Sequence, residues 1–116
     1  KIVLFLVIIP ISLHAEMFDD WDNIDKGLYV GSCIASAADM YTTDRIIKKG
    51  GHENNCILPD HPKTSRLVAH WLICAVGKLI IADLLPSEIR KAFLFGCMSI
   101  DIGYASRNTI RIRHEF

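Results

Sequence analysis

The N-terminal segment constrains the fate of this chain more than any other part of it. Lys1 is followed by an apolar run over Ile2–Ile11, and acidic sequence begins at Glu16. A basic start, an apolar stretch of about ten residues and a small residue at the junction are typical of a secretory signal peptide. The stretch is too short for a comfortable membrane span. We therefore predict a cleaved signal peptide at 1–15 and a single helical domain at 16–116.

The composition of the chain excludes some classes of function. The formal net charge is zero, and 51% of the residues are hydrophobic. A neutral chain has no bulk electrostatic attraction for nucleic acid, so we expect no nucleic-acid partner. The apolar content is high for a small soluble domain in which 22% of the residues are charged. It indicates long helices that are buried either in a protein core or in a lipid bilayer.

Three apolar segments predict three helices, and the expected fold is an all-α bundle. The first helix is expected at 27–48, where Gly, Ala and Ser are frequent, and the second at 66–85. The third is expected at 87–107, directly after Pro86, which cannot continue the second helix. The last residues, 109–116, alternate apolar and polar side chains, a pattern that indicates a short strand.

Short polar side chains predict where the first two helices begin. Asp22 or Asn23 could cap the first helix, and Thr64 or Ser65 could cap the second. An oxygen in these side chains can accept a hydrogen bond from an amide of the first turn that has no partner within the helix. Gly50 follows the last turn of the first helix and is expected to end it.

The basic residues favour a transmembrane arrangement. After signal cleavage the first helix starts outside, so the loop after it and the C-terminal tail lie inside. The inside set holds eight basic residues: Arg45, Lys48, Lys49, Lys63, Arg66, Arg107, Arg111 and Arg113. The outside set holds three: Lys26, Arg90 and Lys91. This positive-inside distribution predicts a three-span inner-membrane protein surrounded by the lipid bilayer. The alternative is a soluble periplasmic helical binding domain that buries the same faces in its own core.

Each predicted helix carries polar residues at spacings of three and four, which places them on one face. We expect these faces to meet in a polar seam formed by Asp39, Thr43, His70, Lys78, Asp101 and Asn108. An unpaired charge inside a bundle or a bilayer is costly, so Lys78 is expected to pair with Asp39 or Asp101. The seam either fixes the register of the helices or forms an ion or ligand site between them.

Cysteine and histidine patterns indicate no metal or catalytic centre. The four cysteines lack the close spacing of zinc and thioredoxin-type motifs. They allow three disulfide pairings in an exported chain, or they are small apolar residues within helices. The chain has no Gly-x-Ser-x-Gly elbow and no phosphate-binding loop. We expect a protein that is not an enzyme and that holds no metal or cofactor.

Short motifs along the chain resemble those of a known group of proteins. They are Asp39-Met-Tyr-Thr-Thr43, His52-Glu53-Asn54-Asn55, His61-Pro62 and Leu85-Pro86 followed by Arg90-Lys91. The group comprises short uncharacterised envelope or membrane proteins of Gram-negative bacteria and their phages. Its members have a signal peptide and Asp-x-x-x-Thr, Glu-x-Asn-Pro and Leu-Pro-x-x-x-Arg motifs.

This resemblance implies a small exported or membrane protein and brings no established activity. It marks a set of characteristic positions: Asp39, Thr43, Glu53, Asn55 and Asn108. The chain departs from the group at Cys56, which stands in place of the proline of Asn-Pro.

The sequence favours a non-enzymatic function in the cell envelope. The leading hypothesis is an accessory protein that binds another membrane protein or its own copies through the small-residue face of the first helix. The second is a small ion or solute transport component that uses Asp39, Lys78 and Asp101. A water-filled gap beside the seam would favour transport, whereas a dry and fully paired seam would favour the accessory protein.

Overall fold

The computed structural model describes residues 18–51 and 62–115. These residues form three helices, α1 (Asn23–Lys48), α2 (Thr64–Leu84) and α3 (Ser87–Glu115), and no strand. The prediction of an all-α, three-helix bundle is therefore confirmed. The predicted signal peptide, Cys56 and the loop motif of Glu53 and Asn55 lie outside the described residues.

A reciprocal pair of hydrogen bonds sets the start of α1. The Asp22 carboxylate accepts from the Asp25 amide at 2.8 Å, and the Asp25 carboxylate accepts from the Asp22 amide at 3.0 Å. This capping box satisfies two amides that have no partner within the helix. It confirms Asp22 as the cap, and α1 begins at Asn23, four residues before the predicted start. Gly50, with a φ of 96°, follows the last turn.

The start of α2 differs from the prediction. Neither Thr64 nor Ser65 is the N-cap: that position is Lys63, which makes no side-chain capping bond. Thr64 is instead the first helical residue, and its hydroxyl donates to the Asp44 carboxylate at 2.7 Å. The hydroxyl thus ties α2 to the end of α1. The other end agrees with the prediction, because α2 stops at Leu84, just before Pro86.

The expectation of a strand near the C-terminus is wrong over the described residues, because α3 continues to Glu115. A lone strand leaves its backbone groups unpaired, and the described residues offer it no neighbouring strand. The helical alternative satisfies those groups within the segment. It also allows the Arg111 guanidinium to pair with the Glu115 carboxylate one turn later, at 2.8 Å.

The three helices run up, down and up. The Tyr29 hydroxyl donates to the Ala75 carbonyl at 2.9 Å, and Thr64 reaches Asp44, so α1 and α2 are antiparallel. Contacts of Asp25 with Arg90 and of Asp39 with Asn108 show that α1 and α3 are parallel. Most contacts join α3 to α1, and α2 and α3 share the fewest. We call the end that holds Asp25 and Arg90 the acidic end, and the opposite end the basic end.

Burial in this bundle differs from that in an ordinary soluble core, because charged side chains are fully buried while many large apolar ones are exposed. The largest fully buried side chains are Arg90, Leu94, Asp25 and Ser32, of which three are polar or charged. Sixteen large hydrophobic side chains of the described residues are exposed, including Ile73 at 71% and Ile100 at 61%. Among the described helices, α2 alone is long and apolar enough to cross a membrane, a criterion that core helices of soluble proteins also meet. Only 11% of its most apolar stretch is buried, so α2 is not such a core helix here.

Candidate ligand-binding cleft

A cleft of about 960 Å³ lies among the three helices. All six residues of the predicted polar seam line it: Asp39, Thr43, His70, Lys78, Asp101 and Asn108. The periodicity of the sequence explains the convergence, because side chains three and four residues apart share one face of a helix. The structure therefore brings the predicted residues together around an open space rather than in a closed seam.

The cleft also holds residues that the sequence analysis did not select. Four belong to the last turns of α3: Arg107, Arg111, His114 and Glu115. Arg111, His114 and Glu115 were missed because residues 109–116 were interpreted as a strand, which places alternate residues on opposite faces, whereas Arg107 lay at the end of the predicted helix and was not selected. A signal was present in the sequence. Asp101, Tyr104, Asn108, Arg111 and Glu115 continue a helical spacing of three and four.

Lys78 lies at the inner end of the cleft, and its predicted ion pair is absent. Its ammonium donates to the Ser32 hydroxyl at 3.1 Å. No ion pair within 4.0 Å joins it to Asp39 or Asp101 in the described part of the chain. The prediction of a direct bond to one of these acids is thus wrong. The physical reason is that α2 and α3 are separated, so that the cleft lies between Lys78 on α2 and Asp101 on α3.

Asn108 ties the basic half of α3 to α1. Its amide nitrogen lies 3.1 Å from an Asp39 carboxylate oxygen, 3.1 Å from the Thr42 hydroxyl and 3.2 Å from the Thr43 hydroxyl. The amide carries two hydrogens, so these three acceptors share them. The predicted positions Asp39, Thr43 and Asn108 therefore act together as one polar clasp between two helices.

The α2 wall of the cleft carries an aromatic ring and a thiol. The Trp71 indole donates to the Ser36 hydroxyl at 2.9 Å and lies 3.3 Å from the Cys33 carbonyl oxygen. One turn later, the exposed Cys74 thiol lies 3.6 Å from His70 Nε2. Trp71 is thus fixed against α1, while Cys74 lies in the cleft.

A buried guanidinium organises the acidic end. Arg90 is fully buried, as is the carboxylate of Asp25, which lies 3.3 Å away. A second carboxylate, that of Asp20, lies at 2.8 Å. Two further N–H groups of Arg90 donate to the carbonyl oxygens of Ala82 and Leu85, both at 2.8 Å. Arg90 belongs to the predicted outside set of basic residues, and its burial was not predicted.

The ion pairs of the acidic end shift the pKa values of their members. The backbone amide of Asp25 and the ammonium of Lys91 lower the pKa of Asp22. Burial alone would raise the pKa of Asp25, but hydrogen bonds from Lys91 and from the Asp22 amide outweigh it and lower the pKa. In turn, the hydrogen bonds that the Lys91 ammonium donates to the carboxylates of Asp22, at 2.9 Å, and Asp25, at 3.0 Å, raise the pKa of Lys91.

A small apolar core separates the cleft from the acidic end. It is formed by buried Trp21, Ala82 and Leu94, with partly buried neighbours that include Leu79 and Phe93. On α2, Ala82 lies about one turn after Lys78. On α3, Leu94 lies about two turns before Asp101. The lining of the cleft stops at Lys78 and Asp101. The apolar core therefore lies between the cleft and the acidic end, and the lining of the cleft extends toward the basic end.

The described cysteines and metal-binding side chains form no further site. Cys33, Cys74 and Cys97 are free thiols within helices. No group of three metal-binding side chains occurs in residues 18–51 and 62–115. The small-residue face of α1 is largely occupied by α3, because Ser32 and Ala35 are buried and Gly31 lies against the Met98 sulfur.

Comparisons with family models, with curated proteins and with solved structures give no match.

Proposed function

We propose that this protein is a membrane-embedded three-helix bundle that binds a small polar solute in its cleft. One observation carries the proposal: polar side chains of all three helices converge on the cleft, while large apolar side chains face outward. Charges inside a bilayer are rare and mark functional positions, and they face the interior of a bundle or an aqueous cavity. The cleft has this character.

The outward faces support a lipid environment. Exposed apolar side chains occur on all three helices, among them Ile34 on α1, Ile73 on α2 and Ile100 on α3. Full burial of such a side chain in an apolar environment contributes about 1.5–3 kcal/mol, and a side chain left exposed to water loses much of this contribution. In a bilayer the same surface contacts acyl chains. The 21 residues of α2 correspond to about 30 Å of helix, the thickness of the hydrocarbon core.

The direction of the helices agrees with an inner-membrane topology. The first and third helices start at the acidic end, so the residues of the predicted inside set gather at the basic end. Arg90 and Lys91, which belong to the outside set, lie at the acidic end, where aspartates neutralise their charges. The net positive charge is thus concentrated at the basic end, which the positive-inside rule assigns to the cytoplasm.

The closed acidic end favours binding over conduction. A conducting path must reach both surfaces of the membrane, but the apolar core of Trp21, Ala82 and Leu94 lies beyond Lys78. Behind it the Arg90 cluster fills the acidic end. A solute that enters from the basic end would therefore stop near Lys78. The geometry supports a binding site with one opening.

Two measurements test the proposal. Membrane fractionation with carbonate extraction should leave the tagged protein in the inner-membrane pellet, whereas release into the supernatant would favour the soluble periplasmic domain. The purified protein should then show a thermal shift with at least one member of a panel of small polar metabolites. The shift should be lost in a Lys78→Met, Asp101→Asn double variant. A panel without any cleft-dependent shift would contradict the proposed function.

A second candidate function is the binding of a helix from another membrane protein or from a second copy. It is favoured by a separate groove of about 460 Å³ between α1 and α3, lined by small residues that include Ala35, Ala38 and Ala105. Small residues let helices approach closely in membranes. Ala38→Leu should abolish a crosslinked complex in membranes if this groove is the interface, and should leave solute binding unchanged.

A further inference from the structure

We infer that the solute is a small zwitterion, of the amino-acid type, that bridges Lys78 and Asp101 across the inner end of the cleft. This inference rests on the proposed function and specifies its ligand. Lys78 belongs to α2 and Asp101 to α3, and both line the cleft. They carry opposite charges on facing helices and are not in direct contact.

The Lys78 side of the site offers hydrogen-bond donors to an anionic group. An ammonium has three donors, and within the described residues Lys78 uses one, to the Ser32 hydroxyl at 3.1 Å. Ser32 is itself fully buried and donates to the Tyr29 carbonyl at 2.7 Å. The hydroxyl is therefore held in place, and the ammonium is anchored with donors left for a carboxylate.

The Asp101 side offers acceptors to a cationic group. An ionised carboxylate has about four acceptor sites, and no described residue donates a hydrogen bond to Asp101. No ion pair within 4.0 Å joins Asp101 to Lys78 among the described residues. An ammonium or another N–H donor placed between the helices would satisfy this carboxylate. Charge-assisted hydrogen bonds of this kind are about twice as strong as neutral ones.

The charges of the whole cleft favour a ligand that is neutral overall. Apart from His70 and His114, which are counted as neutral, its basic side chains are Lys78, Arg107 and Arg111, and its acidic side chains are Asp39, Asp101 and Glu115. Because these numbers are equal, a net anion or a net cation has no advantage. A simple anion would leave the Asp101 carboxylate unsatisfied, and a simple cation would leave Lys78 unsatisfied. A zwitterion satisfies both, since its two charged groups lie on one molecule.

The test uses small organic probes that differ in charge and in length. Glycine, β-alanine, 4-aminobutanoate and 6-aminohexanoate form a series of zwitterions of increasing length, while acetate and methylammonium carry one charge each. Binding to the purified protein is followed by Trp71 fluorescence, because Trp71 lines the cleft. A Trp71→Phe variant identifies the part of the signal that arises there, and thermal shift provides a second readout.

We expect one length of the zwitterion series to bind at least about tenfold more tightly than acetate, methylammonium or their mixture. Lys78→Met and Asp101→Asn should each weaken that binding about tenfold or more. Arg113→Met and Glu88→Gln, which remove exposed charges outside the cleft, should have little effect. These two variants are the matched controls.

Three outcomes would overturn the inference. If acetate or methylammonium binds as tightly as every zwitterion, the ligand needs only one of the two charges. If no zwitterion binds, while the metabolite panel still gives a shift that depends on the cleft, the proposed function stands and the ligand belongs to another class. If the panel also gives no such shift, both the inference and the proposed function fail.

Discussion

The acidic end and the cleft use charged residues in opposite ways. At the acidic end, Arg90 and Asp25 are completely buried, and all polar contacts of the guanidinium are satisfied by carboxylates and carbonyl oxygens. In the cleft, Lys78 and Asp101 face each other without direct contact. Both regions place charge inside the bundle, but only the first closes around it.

This difference shows how burial alone fails to identify a functional site. The most deeply buried charges here fix the ends of three helices, because Arg90 contacts α1 through Asp25 and the end of α2 through Ala82 and Leu85. The less buried charges retain donors and acceptors for a ligand. Polar groups that lack a partner within the protein are therefore more informative about binding than groups that have all of theirs.

The largest effect is expected at Arg90. Arg90→Met leaves the fully buried Asp25 carboxylate without its guanidinium, and breaking a buried pair in this way costs about 3–5 kcal/mol. Chemical denaturation of the purified protein, followed by Trp21 fluorescence, measures the loss. Arg113→Met, at an exposed position near the basic end, is the control and should change stability little. Equal stability of the two variants would show that the acidic end is open to solvent.

A smaller loss is expected at Asn108. Asn108→Ala removes the amide that links α3 to Asp39, Thr42 and Thr43, which should cost about 1–3 kcal/mol. The last turns of α3 should then exchange their amide hydrogens faster, while the acidic end remains protected. Thr109→Ala is the control, because its hydroxyl bonds only to the Ala105 carbonyl of its own helix. Uniform loss of protection along α3 would mean that the two halves do not behave independently.

Lys78 should contribute less to stability than Arg90 does. Its hydrogen bond within the described residues goes to a neutral hydroxyl, so Lys78→Met should cost about 1.5 kcal/mol in the ligand-free protein, the lower end of the range for a bond with one charged partner. A double-mutant cycle with Asp101→Asn should give a coupling free energy below about 0.5 kcal/mol. A coupling of several kcal/mol would show instead that the two side chains form a closed pair.

Lowering the pH into the acid range should destabilise the acidic end, whereas stability should change little with pH near neutrality. The pKa values of Asp22 and Asp25 are lowered in the folded protein from the ordinary value of 3.8. The unfolded chain thus takes up protons first as the pH falls, and the stability that these groups contribute above pH 3.8 is lost as the pH drops through their lowered values. The melting temperature should be flat near neutral pH and fall in this acid range. Asp25→Asn should reduce the slope, whereas Asp19→Asn should not; equal slopes would contradict the assignment.

Helix number and the cleft residues follow from the sequence because both depend on local periodicity. Spacings of three and four placed Asp39, Thr43, His70, Lys78, Asp101 and Asn108 on facing surfaces, and the structure brings them to one cleft. Pro86 marked the turn between α2 and α3 for an equally local reason. The capping box at Asp22 was recognisable from a short polar side chain ahead of the helix.

The features that the sequence did not predict depend on distances between helices. Whether Lys78 reaches Asp101 is decided by how far α2 and α3 diverge, which no spacing within one helix reveals. The burial of Arg90 likewise depends on Asp25, 65 residues away in the chain. The C-terminal segment was misassigned because alternation over eight residues fits a strand, while the Arg111–Glu115 pair and the bonds of Asn108 favour a helix.

The accessibility of Cys74 tests the central claim that the cleft opens only at the basic end. Cys74 is retained while Cys33, Cys56 and Cys97 are changed to Ala, and a charged, membrane-impermeant thiol reagent is applied to oriented membrane vesicles. A second chain with Asp19→Cys and Cys74→Ala in the same background reports the acidic end. We predict modification of Cys74 from the cytoplasmic face alone and of the residue 19 probe from the periplasmic face alone. Modification of Cys74 from the periplasmic face, or from neither face, would contradict the account.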